Sequence, residues 1–143
     1  MNRAERWLRI WLRAGGAFML LAVAGVVMPP QWMDSLHRQL GLGPLPSGAI
    51  VDYLARITSA AYAAIGGLML LASADVKRYR PFVTYALAAP AVMALAVWAV
   101  VNFTAPNLRW WLLADVASAG LFCVVGLALQ RRATRDASAD PAS

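Results

Sequence analysis

Three charged residues sit where charge is costly. Asp52 and Arg56 stand at i and i+4 at the head of an apolar stretch, Ile50 to Ala74, and Asp115 lies inside another, shortly after Trp110-Trp111. A carboxylate in hydrocarbon must be protonated, paired or hydrated. Three kinds of chemistry fit this set. It can be a balanced clasp that fixes which helices touch, a proton or ion step, or a contact to a lipid headgroup or quinone near one leaflet. The i,i+4 spacing puts Asp52 and Arg56 on one helix face. On a helix rising about 1.5 Å per residue, Arg56 and Asp115 reach similar depths in stretches that cross in the same direction. The sequence therefore predicts an Arg56–Asp115 pair, with Asp52 one turn above and the hydroxyls of Tyr53 and Tyr62 nearby.

The other reactive side chains point to less. His37 is the lone histidine and Cys123 the lone cysteine. With no second histidine or cysteine nearby, His37 makes a poor metal site, and it reads as a solvated residue on the polar side of a short helix. Cys123 rules out an internal disulfide and reads as a small apolar side chain within a hydrophobic run. Glycine-rich phosphate loops, CxxC, HExxH and GxSxG turns are absent from the sequence. No histidine lies inside an apolar stretch to hold a haem. The reading therefore names no catalytic residue, metal or cofactor.

The elements that must carry these charges are membrane helices. Of 143 residues, 61% are hydrophobic and 14% charged, against about 45–50% and about 25% in soluble domains. A domain this small cannot bury that excess. Four spans are predicted, at about 7–28, 50–74, 82–103 and 110–130, with a short amphipathic helix at about 31–40. Residues 1–130 thus form an all-α, four-helix membrane domain, and 131–143 a disordered tail. The first span begins with Arg6, Arg9 and Arg13 on one face and Trp7 and Trp11 on another, as suits a headgroup layer. A cleavable leader is the rival reading there, but its Ala22-Val23-Ala24 triplet sits in mid-run, so the span is expected to stay. Pro29-Pro30 ends it. Trp32, Leu36 and Leu40 then form the apolar stripe of the surface helix, and Gly41 ends that helix. Ser47 is the expected cap of the second span, and Pro90 the expected kink of the third. Asn102-Phe103-Thr104 matches a glycosylation triplet but falls at a membrane edge.

Basic residues set the orientation. Ten of them (Arg3, Arg6, Arg9, Arg13, Lys77, Arg78, Arg80, Arg131, Arg132 and Arg135) fall on one side, and Arg38, Arg56 and Arg109 on the other. The positive-inside rule then puts both termini of this multi-pass chain in the cytoplasm, and the alanine- and arginine-rich usage is compatible with a bacterial inner membrane. This placement also argues against nucleic acid as the partner of the +6 net charge. Ser59, Ala63 and Gly67 are small residues at every fourth position, a face on which a neighbouring helix can pack closely. Span four offers Ala114, Ala117, Ser118 and Gly120. The partners expected are the lipid bilayer and a membrane protein or a second copy of the chain.

The order of parts resembles small four-span bacterial membrane proteins of the DoxX-like kind. The likeness covers about residues 9–130 and rests on the arginine-led first span, PPQWMDSLHRQLGLG, AAIGGLMLL and DVKRYRP. It implies four spans and, for some members, quinone-linked sulfur oxidation or a place in a redox membrane complex. Where such a second span would carry an acidic residue beside its glycines, Tyr62 and Ala63 stand here. The stretch from Tyr53 to Val83 also looks like an uncharacterised group of small bacterial membrane proteins. Two functions stay open: a non-catalytic accessory or interaction subunit, and a small carrier or redox protein using Asp52, Arg56 and Asp115.

Overall fold

Long alanine- and leucine-rich runs with few breakers leave the backbone one solution in lipid, which is to satisfy its own hydrogen bonds as helix. The computed structural model describes residues 2–104 and 108–139, except the side chains of 102, 104 and 137–139. All its regular elements are helices: α1 (Arg3–Leu20), α2 (Val23–Val27), α3 (Pro30–Gln39), α4 (Ala49–Ala72), α5 (Arg80–Thr104) and α6 (Arg109–Ala139). Four stretches are long and apolar enough to cross a membrane: Arg3–Val27, Ala49–Ala72, Arg80–Val101 and Arg109–Asp136. The connection through 105–107, the glycosylation triplet's Asn102 and Thr104 side chains and the tail at 140–143 lie outside the described residues.

Three details differ from the sequence expectations. The first span is broken at Leu21-Ala22, where Leu21, Ala22, Ala24 and Gly25 donate to carbonyls three residues back. This is a 3₁₀-type tightening in mid-span. The last helix continues beyond Gln130 to Ala139, because alanine and arginine are good helix formers even where the chain turns polar. The cap position of α4 falls on Gly48 and not Ser47. The Gly48 carbonyl accepts from Val51 and Asp52, at a φ of +152° that favours glycine. Helix α5 runs unbroken through Pro90.

The chain forms two compact units, residues 1–13 with 71–143, and residues 14–70. In the first unit, α5 and α6 are antiparallel. Gln130 Nε2 donates to the Arg80 carbonyl (3.2 Å) and to Thr84 Oγ1 (3.0 Å), and further along the pair a Cβ on Gly126 would run into Leu87. The start of α1 is antiparallel to α6. Asn2 Nδ2 donates to the Ala133 carbonyl (3.0 Å), and Trp11 stacks on Phe122 (5.5 Å) while its indole N–H reaches the Phe122 carbonyl (3.2 Å). Trp11 is thus a helix–helix contact, where the sequence suggested a headgroup anchor. Leu8, Leu12, Val83 and Leu87 form this unit's buried core.

The second unit is a hairpin of the first span and α4. A Cβ on Gly66 would lie 2.6 Å from the Gly16 carbonyl and 2.8 Å from the Leu20 nitrogen, and one on Gly25 2.5 Å from Ser59 Oγ. Ala63 is buried. A Cβ on Gly67 would meet nothing within 4 Å. The close face is therefore Ser59, Ala63 and Gly66. At about 100° per residue, Gly66 falls about 20° from Ser59 around the helix and Gly67 about 80°.

Candidate functional site

The charged set resolves first around two prolines. A helical carbonyl accepts from the N–H four residues on. Proline has none, so Pro30 leaves the Val26 carbonyl without its helical donor. Arg56 fills that position: its Nη1 donates to the Val26 carbonyl and its Nη2 to the Met28 carbonyl (3.3 Å). Its Nε donates to Asp52 Oδ2 (2.9 Å). The guanidinium thus closes the C-terminal end of the first span, where a helix carries partial negative charge. Asp52 occupies the first turn of α4, the favourable end for a carboxylate. Asp52 Oδ1 is shielded from solvent and has no hydrogen-bond partner among the described residues.

Asp115 belongs to the other unit, in an exposed position on α6, and its carbonyl accepts from Ser118 Oγ (3.1 Å). Tyr53 and Tyr62 are exposed.

The loop after α3 is held by polar residues of that helix. Leu42 donates to the His37 carbonyl and Gly41 to that of Arg38, the two bonds of a glycine-ended helix, with Gly41 at φ +74°. Asp34 Oδ1 accepts from the Leu45 amide (2.8 Å) and Oδ2 from Arg38 Nε (2.8 Å). The Leu45 amide and then the Arg38 guanidinium hold this carboxyl below the usual range. His37 Nδ1 lies 2.8 Å from the Gly43 carbonyl. A carbonyl only accepts, so Nδ1 carries the proton. His37 is thus a loop tie, and the solvated role expected of it is only partial. Trp32, Leu36 and Leu40 leave an exposed apolar stripe on α3.

A second charged group escaped the sequence reading. Glu5 is only 4% exposed. Its Oε1 accepts from Arg9 (2.8 Å), and Lys77 Nζ lies 3.7 Å from its Oε2. Glu5 borders a cavity of about 280 Å³ with Lys77, Arg80 and Gln130. Two signals were available in the sequence. Asn2 and Glu5 stand three apart as in a capping box, and the Glu5 amide does donate to Asn2 Oδ1 (2.7 Å). Glu5 also stands four residues before Arg9. Arg13, in turn, donates to Ser73 Oγ (3.2 Å), so two of the three arginines expected at the headgroup layer have partners within the chain.

Among the described residues, no group of three or more His, Cys, Asp or Glu side chains is placed to hold a metal ion. No family model, curated protein or solved structure matches this chain.

Proposed function

We propose that the protein is a multi-pass inner-membrane protein with both termini in the cytoplasm, acting without catalysis as an accessory or interaction subunit. One observation carries the reading: only 6% of the apolar stretch of α6 is buried, and its small residues Ala114, Ala117 and Ser118 are exposed. Small residues let helices approach closely in lipid, and among the described residues of its own unit that face is left open. The Arg56 group supports a structural role for the charges, since its donors meet Asp52 and two main-chain carbonyls. The test is a tagged pull-down from native membranes in mild detergent, with the eluate weighed for stoichiometry. A stoichiometric membrane partner, or a second copy, is the expected result. A lone monomer would overturn it.

A second reading has its own support. The unpartnered Asp52 Oδ1 is an acceptor awaiting a hydroxyl or a proton. A small carrier or quinone-linked redox protein of the DoxX-like kind would use such an oxygen. It requires a pH-dependent activity, or quinone in the eluate, that Asp52→Asn abolishes.

A further inference from the structure

The register of α1 against α6 builds a groove that neither helix forms alone. Asn2 bonded to Ala133 and Trp11 stacked on Phe122 hold the two helices antiparallel. Beside that seam lies a cavity of about 370 Å³, lined by Arg3, Ala4 and Trp7 from α1 and Leu129, Arg132 and Asp136 from α6. Arg3 and Trp7 share a face at i,i+4, and Leu129, Arg132 and Asp136 share one at i, i+3, i+7. Arg3 and Arg132 are far apart in sequence, yet both border this one space. Neither makes an ion pair among the described residues.

The lining is graded from apolar to polar. Leu129 lies near the end of the apolar run of α6, and Arg132 stands just beyond it. Trp7 opens the apolar part of α1, and Arg3 precedes it. Trp7 is half exposed, at 51%, and an indole of that kind favours the glycerol-ester level of a bilayer. Two guanidiniums just beyond that level match the non-bridging oxygens of a phosphodiester. Basic pockets between spans on the cytoplasmic side are where anionic headgroups are held. Asp136 adds the one negative charge. It disfavours a doubly charged phosphomonoester and offers an acceptor to a hydroxyl on the headgroup.

We propose that this groove is a binding site for an anionic glycerophospholipid whose headgroup bears hydroxyls, with phosphatidylglycerol as its simplest representative. Arg3 and Arg132 hold the phosphodiester, Trp7 and Leu129 cover the first part of the chains, and Asp136 accepts from the headgroup hydroxyl. The proposal rests on the membrane reading above, which places this basic end at an anionic leaflet.

The test uses the full chain reconstituted with phosphatidylcholine, with or without phosphatidylglycerol, then delipidated in mild detergent and weighed by native mass spectrometry. The wild type is expected to keep phosphatidylglycerol in preference to phosphatidylcholine. Arg3→Gln with Arg132→Gln lowers that retention by about thirtyfold, two surface charges at about 1 kcal/mol each. Arg6→Gln with Arg135→Gln removes equal charge outside the groove and keeps the lipid. Ala4→Leu fills the groove with every charge intact, so it loses the lipid too and carries the test if the arginine variant fails to insert. Equal retention of the two lipids by the wild type overturns the site. So does equal loss in the Arg6/Arg135 variant, which would mean diffuse charge. Displacement of the lipid by inorganic phosphate alone would mean a site for free phosphate and would also overturn it. A wild type that fractionates as soluble sinks the membrane reading itself, a result distinct from insertion without lipid preference.

Discussion

The two units hold their charged groups in opposite ways. In the unit of residues 14–70, Arg56 is directed at main-chain carbonyls and at Asp52, so that its charge completes a helix end. In the other unit, Glu5 is a buried carboxylate facing Arg9 and Lys77, with a cavity of about 280 Å³ beside it. The first arrangement is forced by local chemistry, since a double proline creates an unsatisfied carbonyl that some donor must meet. The second is made by side chains alone, Arg9 one turn along the same helix and Lys77 from a distant part of the chain. A charge held by backbone is fixed in place, whereas one held by flexible side chains next to open space can exchange partners.

The sharpest way to break this comparison is to spoil the hairpin on which the Arg56 group is built. Gly66→Ala sets a Cβ against backbone atoms of Gly16 and Leu20 that cannot step aside, so it should cost about 1–3 kcal/mol. Gly67→Ala has open space and should stabilise by about 0.5–1 kcal/mol through helix propensity. Denaturant titration in detergent, followed by circular dichroism, separates the two, and equal effects would mean that the close face is wrongly placed.

Next in size is Arg56→Gln. It should lower the unfolding temperature by more than Asp52→Asn, because the asparagine variant leaves both carbonyl contacts of Arg56 in place. An equal loss would reduce the clasp to a simple ion pair.

In the other unit, Glu5→Gln keeps the shape and an acceptor for Arg9 but removes the charge. About 1 kcal/mol is expected, discounted because Lys77 is well exposed. A much larger loss in the same titration would show that Glu5 is as fixed as Arg56.

The smallest effect is a pH dependence at the α3 loop. The Leu45 amide and Arg38 lower the pKa of Asp34 in the folded chain. A carboxyl lowered on folding contributes stability that is complete above its unfolded pKa and is lost as pH falls through the folded one. Exchange of the Leu45 amide, corrected for the intrinsic rate, should therefore speed up in acid below the usual carboxylate range. Asp34→Asn should remove that step and leave the Arg56 group untouched.

Much of this molecule is legible residue by residue. The apolar runs mark the four long helices because hydropathy is summed locally. The end of α3 follows from Gly41, which takes up a left-handed turn readily. The Pro29-Pro30 pair even announces the orphaned carbonyl, although nothing in the pattern says which donor will meet it. Residues 131–139, the first part of the tail expected to be disordered, are helix, because helix-forming alanine and arginine outweigh the segment's polarity. Glu5 went unnoticed among the arginines because a charged residue in a basic segment looks solvated until a second helix covers it.

By itself, then, the sequence determined that this chain is helical, how many of its helices are long and apolar enough to cross a membrane, and that Pro29-Pro30 and Gly41 end two of its helical segments. These properties depend on neighbours within a few residues. Only the tertiary structure decided that Gly66 and not Gly67 meets the first span, that Trp11 faces Phe122, and that Arg56 serves two carbonyls. Each residue turns a helix by about 100°, so a single step along the chain moves a side chain to another face. Which face is used depends on the register of two helices far apart in sequence, and that register is set by packing over their whole length.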